Sequence, residues 1–389
     1  MYNIKTINDI SPVYSQVLDM AEYTVSPECA DPDAIIVRSA DLHSMEKNPS
    51  LLAIGRAGAG YNNIPVSEMG KKGVVVFNAP GANANAVKEL ALAALLLASR
   101  DIVGGIEWCK TLSGQGAAVP KMVEKGKSQF VGPELKGKTL GVIGLGGVGG
   151  LVANAGRALD MDVVGYDPYI SVDHAWRLSR SIHHAKSQQE LLAMSDYVSV
   201  HVPLMDATRG SLNKEFISGM KDGAVLLNLS RGELAVNADV IEALSSGKLR
   251  RYVTDFPQDD VIGVPGVIAI PHLGASTPES EDNCVTMVAS QIDAYLRTGS
   301  ILNSVNYPTC ELSRPERVRV MLLHANIPNV IGPIASTMGT YGINIDTMVN
   351  KSKGEFAYTV LDLDGEPPQA LLETLKKSES TYGVRVIRP

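Results

Sequence analysis

The sequence predicts an α/β protein with two doubly wound parallel-sheet domains and a smaller C-terminal α+β module. Three observations carry that expectation. The turn Gly144-Leu145-Gly146-Gly147-Val148-Gly149 lies between an apolar run and a stretch with helical spacing. Through residues 1–88, short apolar runs alternate with polar or helical segments, the pattern of a parallel sheet. Residues 317–389 read in the order βαββαβ.

Composition sets outer limits. A chain of 389 residues implies about two to three domains. With 45% hydrophobic and 20% charged residues it has the make-up of an ordinary globular protein. A net charge of −7 argues against non-specific nucleic-acid or anionic-membrane binding. The four cysteines, Cys29, Cys109, Cys284 and Cys310, are far apart and form no metal-ligand spacing, so reduced thiols in a cytoplasmic protein are expected. The start lacks a signal-peptide pattern. The longest apolar run, Leu90–Ala98, is too short for a bilayer, which needs about 20 residues, and reads as a buried helix.

In the first segment, strands are expected at Tyr2–Thr6, Glu22–Val25, Ala34–Arg38, Leu51–Arg56 and Gly73–Asn78. Ligands of such sheets gather at the carboxyl ends of strands. Two ends carry arginine: Val37-Arg38-Ser39 and Gly55-Arg56-Ala57-Gly58. A guanidinium fork suits carboxylate or phosphate, and the glycines let a ligand reach the backbone. Residues 38, 39 and 56–58 are therefore candidate anion-binding residues. A helix from about Ala84 to Ile102 leads into the second domain, and residues 104–137 give no clear pattern.

The second domain opens on Thr139–Ile143, a buried-strand run, followed by the glycine turn and the helical stretch Leu151–Leu159. This is the G-x-G-x-x-G dinucleotide fingerprint in its required setting. Gly144 permits a tight turn, Gly146 lets a pyrophosphate approach, and Gly149 allows close helix–strand packing. The next strand, Asp162–Tyr166, ends at Asp167, where an acid can accept from ribose hydroxyls and disfavour a 2′-phosphate. Strands at Tyr197–His201, Ala224–Asn228, Tyr252–Thr254 and Val267–Ile270 follow, with helices at Gln188–Met194 and Asn237–Ser245.

Three strand ends of this domain bring a cation, an acid and a base. They are Ser230-Arg231-Gly232, Asp255-Phe256-Pro257-Gln258-Asp259-Asp260 and Pro271-His272-Leu273-Gly274. Oxidation of a 2-hydroxy acid needs a cation for the carboxylate and carbonyl, and a base for the hydroxyl proton. A histidine titrates in the useful range, and a neighbouring acid favours its charged form. Arg231, an acid at 259 or 260, and His272 match these roles. His43, His174, His183, His184 and His201 read as structural or surface groups.

GKTLGVIGLGGVGG, NLSRGEL, VTDFPQDD and IPHLGAST together resemble the D-isomer-specific 2-hydroxyacid dehydrogenases, and within them the branch acting on 3-phosphoglycerate. VRSADLH and GRAGAGYNNI are similar to substrate-domain loops of that family. The resemblance implies NAD as cofactor, with Arg231 as substrate anchor, His272 as acid/base and the intervening acid as its partner. It implies that Asp255 meets the nicotinamide amide, and that Val202, Pro203, Leu229, Ser230 and Gly274 line the cofactor site. Arg38 and Arg56 would approach the substrate phosphate. The family usually has glutamate at the acid; keeping the Phe-Pro turn in register favours Asp259 over Asp260. The alternatives are another 2-hydroxyacid dehydrogenase, such as a hydroxypyruvate or glyoxylate reductase, and an NADH-responsive scaffold without catalysis. No metal is expected, and the resemblance implies a homo-oligomer, dimer or tetramer.

The expected domains are a Rossmann cofactor domain at 89–275 and a flavodoxin-like substrate domain at 1–88 that resumes at 276–306. A linker at 307–316, containing Pro308 and Pro315, then leads to a ferredoxin-like module at 317–389. That module resembles the ACT domain, a regulatory amino-acid-binding unit. Leu323-His324-Ala325-Asn326-Ile327-Pro328-Asn329 and Gly342-Ile343-Asn344-Ile345 are similar to the serine-binding segments of regulated members. The resemblance implies an L-serine effector held by His324, Asn326 and Asn344 where two modules meet.

Overall fold

A computed structural model describes all 389 residues. The chain divides into two compact units, Asn83–Ser280 in one and Met1–Ala82 with Glu281–Pro389 in the other.

The discontinuous unit opens with β1 (Tyr2–Ile7), β2 (Tyr23–Ser26), β3 (Ala34–Val37), β4 (Ala53–Arg56) and β5 (Val75–Asn78). All pairings are parallel, in the order β2-β1-β3-β4-β5. β3 and β5 are buried along their whole length, and accordingly they are apolar throughout except for Asn78 at the end of β5. This is the flavodoxin-like order, and its reversal point lies between β1 and β3. The β5 edge is covered by the returning chain: Asn306 accepts from Val76 N and donates to Val74 O, while Val305 N donates to Val76 O. A paired edge offers no template for another strand.

The contiguous unit holds β6 (Thr139–Ile143), β7 (Asp162–Tyr166), β8 (His183–His184), β9 (Tyr197–Val200), β10 (Ala224–Asn228), β11 (Leu249–Thr254) and β12 (Val267–Ala269). Their order is β12-β11-β10-β9-β6-β7-β8, again all parallel. The order reverses between β6 and β9, so the crevice at their carboxyl ends is where a ligand belongs. The helix expected over 84–102 ends at Ser99, because Arg100 is extended (φ −121°, ψ 149°). A separate helix, Ile102–Lys110, starts beyond it, with the Asp101 side chain accepting from Gly104 N. Residues 102–130 are mostly short helical pieces, closed by Trp108 against Phe130 at 5.4 Å.

The last sheet, β13 (Val318–Ala325), β14 (Ile345–Lys353), β15 (Phe356–Leu363) and β16 (Thr381–Ile387), has the antiparallel order β14-β15-β13-β16. One face, with Val320 and Leu322, packs on the helices Ile331–Thr340 and Gln369–Lys376. The other, with Met321, Leu323, Phe356 and Tyr358, shares a core with Ile4, Ile36 and Phe77. The module is thus part of the first unit. The segment expected to link it is packed rather than loose. Tyr307 is fully buried and donates to Gly70 O, and Ile301 and Cys310 exchange two backbone bonds of 2.9 Å. Proline and polar residues suggest a loop; Tyr307 and Cys310 supply the apolar anchors that hold it down.

The helix Pro278–Thr298 ends under this sheet. Arg319 donates to Thr298 O, and Arg385 donates to Tyr295 O and Leu296 O. Two cations thereby satisfy carbonyls of a helix C-terminus, where the macrodipole favours positive charge. Asp362 forms a fork–fork pair with Arg319, whose guanidinium is almost wholly buried. The four cysteines are free thiols. No helix is long and apolar enough to cross a membrane.

Candidate active site

In the contiguous unit, each glycine of the fingerprint has a distinct reason to be glycine. Gly144 has φ +84°, and a Cβ there would lie 2.4 Å from His201 O. A Cβ on Gly149 would lie 1.8 Å from Gly144 O, closing the helix onto the strand. A Cβ on Gly146 would meet nothing within 4 Å. Open space at that position, on the N-cap of helix Gly147–Ala158 with no side chain capping it, is a cradle for an anion. Gly147, Val148 and Gly149 form the first turn of that helix.

Asp167 follows β7 and closes the loop from the other side. Its Oδ2 accepts from Leu145 N at 2.8 Å and its Oδ1 from Tyr169 N at 2.9 Å. It remains partly exposed, and each carboxylate oxygen has a second lone pair for a hydroxyl. Val202 and Pro203 follow β9, on the other side of the crevice. His201 beside them bonds Ser199 Oγ through Nε2, and burial pushes its pKa down to about 4. It is neutral at physiological pH, in keeping with a structural role.

The β10 end is built by Asn228, a residue the sequence reading did not single out. Fully buried, it donates to Arg231 O at 2.9 Å and accepts from Ser230 N at 3.3 Å. Ser230 Oγ donates to Val200 O, tying the turn to β9, and Leu229 is buried in the core. Arg231 leaves this turn with extended backbone, its Nη1 donating to Ser230 O at 2.6 Å.

Asp255, at the end of β11, is 1% exposed, and its Oδ1 has no hydrogen-bond partner. Burial raises its pKa from 3.8 to about 6, against backbone donors that include Gly274 and the charge of Arg231. A Cβ on Gly274 would lie 3.3 Å from Asp255 Oδ2, so glycine keeps that approach open. Further along the loop, Asn237 Nδ2 donates to Gln258 Oε1 (2.9 Å) and to both Asp260 oxygens (2.8 and 3.1 Å). Asp260 is thus held by Asn237, and Asp259, exposed beside it, is the acid outside that clamp. His272 follows β12, its ring centroid 4.3 Å from that of Phe256. Ser276 Oγ donates to His272 O.

The open cradle at Gly146 and the orphaned oxygen of Asp255 are what a dinucleotide carrying a carboxamide would complete. The residues therefore fit the cofactor implied by the fingerprint.

In the discontinuous unit, Asn8 at the β1 end orders the loop after β3. In a left-handed conformation (φ 74°), its Oδ1 accepts from Arg38 N, Ser39 N and Ala40 N at 3.4, 2.9 and 2.9 Å. Asn8 sits at the sheet's reversal point, a position that only the strand order reveals. Arg38 Nη1 pairs with Glu281 at 2.6 Å. Ala57 N donates to Val37 O, and Gly58, at φ +153°, sits where a Cβ would overlap Arg56 Nη1 at 1.6 Å.

In the C-terminal sheet, His324 is 2% exposed. Its Nδ1 bonds Ala325 O and its Nε2 bonds Thr359 Oγ1, both at 2.8 Å, and burial lowers its pKa. Asn326 donates to Gly354 O. Asn344 precedes Ile345, which pairs with Leu363 near the Val318 end of β13, whereas His324 pairs with Ala357 at the other end. Six residues of strand, roughly 20 Å, separate the two groups. A single module does not bring these three residues together.

The family described as "D-isomer specific 2-hydroxyacid dehydrogenase, NAD binding domain" matches residues 92–274. The D-3-phosphoglycerate dehydrogenase of Haemophilus influenzae is 31% identical over 357 residues, covering 88% of this chain and 83% of its own. That of Methanocaldococcus jannaschii is 36% identical over 311 residues, covering 77% of this chain. The chain spans 57% of the length of that relative and 56% of those from Archaeoglobus fulgidus and Bacillus subtilis. Among solved structures, the NAD⁺-bound 3-phosphoglycerate dehydrogenase of Entamoeba histolytica aligns with TM-score 0.61 and 25% identity, over 78% of this chain and 98% of its own. Rhodotorula graminis D-mandelate dehydrogenase, at TM-score 0.64 and 22% identity over 81% and 99%, shares the fold. With the family model over the cofactor domain and a 31% identical relative spanned over 83% of its length, the chain belongs to the D-isomer-specific 2-hydroxyacid dehydrogenase family.

Proposed function

We propose that this chain is an NAD-dependent dehydrogenase that oxidises D-3-phosphoglycerate to 3-phosphohydroxypyruvate, the first step of L-serine synthesis. The observation that carries the reading is the placement of Arg231, Asp255 and His272 at the carboxyl ends of β10, β11 and β12. The relative from Haemophilus influenzae, named for that activity and matched over 83% of its length, supports the choice of substrate.

Gly144, Gly146, Gly147, Val148 and Gly149 bind the pyrophosphate, and Asp167 accepts from the adenosine ribose. Val202, Pro203, Leu229, Ser230 and Gly274 line the cofactor site, and Asp255 accepts from its carboxamide. NAD, when bound, would supply the hydride acceptor for the oxidation at substrate C2. Arg231 holds the substrate carboxylate and polarises the oxygen at C2, as a guanidinium fork does better than a point charge. His272 takes the C2 hydroxyl proton, and Asp259 stabilises the imidazolium that results. Arg38, Ser39, Arg56, Ala57 and Gly58 supply donors for the phosphate. L-Serine is assigned as effector of the C-terminal module through Asn326 and Asn344 of different copies, with His324 bracing the strand beside them.

The test is NADH formation with 3-phosphoglycerate, D-lactate and glycerate side by side. 3-Phosphoglycerate should be preferred, and His272→Ala should lose about 10²–10⁴-fold in kcat while NADH still binds. A preference for D-lactate or glycerate would reassign the substrate. Near-normal turnover of His272→Ala would reject the mechanism.

A further inference from the structure

Phe256 touches both members of the proposed reacting pair. Its ring lies 4.3 Å from the His272 ring, tilted by 44°, and the Arg231 guanidinium carbon stands 5.6 Å from its centroid. The backbone that carries the ring is itself held. Phe256 N donates to Thr254 Oγ1, and a Cβ on Gly232 would lie 3.3 Å from both Phe256 Cβ and Phe256 O. The turn after Arg231 and the turn after Asp255 are therefore seated against each other through this phenylalanine. A planar ring with two χ angles, carried on a backbone held at this turn, is a stiff support for two side chains that have to hold their geometry. Its π face also attracts a guanidinium and an imidazolium.

We propose that Phe256 is a positioning residue for this reaction, fixing the His272 imidazole and the Arg231 guanidinium relative to each other. The proposal rests on the reading of those two residues as acid/base and substrate anchor. It assigns Phe256 no contact with substrate.

Phe256→Leu keeps an apolar side chain and removes the ring face; Phe256→Tyr keeps the ring. Gly232→Ala leaves the ring intact and crowds Phe256 at its Cβ and carbonyl, shifting where the ring is carried. Kinetics of the full chain are measured with NAD and 3-phosphoglycerate, and kcat is divided by the number of NADH sites titrated by fluorescence. Phe256→Leu should lower kcat per site by about tenfold. That lies between the roughly two- to fivefold of a lost cation–π contact and the roughly 100-fold of a 1 Å misplacement. KM for the hydroxy acid should rise about two- to fivefold through Arg231, with NADH affinity unchanged. Phe256→Tyr should restore both constants to within about twofold of the original, and Gly232→Ala should fall between.

A loss in Phe256→Leu that disappears on division by NADH sites would make the residue a folding element only and overturn the proposal. Equal losses in Phe256→Leu and Phe256→Tyr would overturn it as well. Should Phe256→Leu not fold, the outcome passes to Gly232→Ala, where unchanged kcat and KM would also overturn it. His272→Ala in the same assay separates the two levels. If it remains active, the mechanism itself fails; if it is inactive while Phe256→Leu is silent, only the role of Phe256 fails.

Discussion

Asp255 offers a test that joins stability to cofactor binding. Burial raises its pKa from 3.8 to about 6, so the native protein prefers the protonated carboxyl more than the unfolded chain does. The stabilisation from this preference is full below about pH 4 and is lost as pH rises through about 6. At about 1.4 kcal/mol per pKa unit, the ionised carboxylate costs the cofactor-free protein up to about 3 kcal/mol at pH 8. Asp255→Asn keeps the shape and removes the charge. Without cofactor, it should be more stable than the original by up to about 3 kcal/mol at pH 8 and by only about 1 kcal/mol at pH 4.5. Urea unfolding of both proteins at the two pH values measures this, and other titrating groups cancel in the comparison. The orphaned Oδ1 adds a second readout. A carboxamide N–H favours the ionised form, so NADH affinity should fall as pH drops below about 6 in the original and stay level in Asp255→Asn. An asparagine variant no more stable at pH 8, or with a larger advantage at pH 4.5, would refute the reasoning.

Asp167 accepts two backbone N–H groups as well as serving the ribose in the proposed cofactor site, so Asp167→Ala should relax the preference for NAD over NADP and also destabilise the protein. Two lost bonds to a charged acceptor suggest a loss of about 2–4 kcal/mol, read by urea unfolding; equal use of both cofactors by the unmodified protein would discard the assignment. Asp259→Ala should lower kcat, whereas Asp260→Ala should loosen the loop held by Asn237 and act mainly on stability; the reverse pattern would transfer the acid role to Asp260. L-Serine should lower activity, and Asn344→Ala should abolish that effect with uninhibited turnover nearly unchanged; calorimetry showing no serine binding to the full chain would leave the module structural.

Much of the fold around the candidate site was legible because each feature has a local signature. The Gly144–Gly149 turn is marked by backbone sterics, and helices Gln188–Met194 and Asn237–Ser245 by their spacing. What was not legible depends on contacts distant in sequence. Nothing near Asn8 shows that its side chain orders a loop thirty residues away, and Asn228 looks like an ordinary strand-end residue until its partners are seen. Phe256 reads as a register mark in the Phe-Pro turn; only the fold puts it against residues 231 and 272. The β8 strand escaped notice because His183 and His184 are exposed and carry no apolar pattern. The Arg100 break escaped because the apolar spacing continues through Ile102 and Val103.

The shared core of the discontinuous unit has a consequence for how the protein is made. Ile4 and Ile387 belong to one cluster, so the first strand of the chain shares packing with the last. Residues 83–280 are contiguous and can close their sheet while synthesis continues. The other unit must leave its early strands waiting until the final strand leaves the ribosome. At about 5–20 residues per second, the interval from residue 82 to residue 387 is roughly 15–60 seconds, during which the apolar face of the early sheet that joins the shared core is exposed to misassociation. Deleting the C-terminal module should therefore cost soluble yield before it changes any regulation, since Arg319 and Arg385 also leave the end of helix Pro278–Thr298 uncapped when they are removed. A circular permutant that joins the two ends and opens the chain near Ala82 would make both units contiguous and remove the wait.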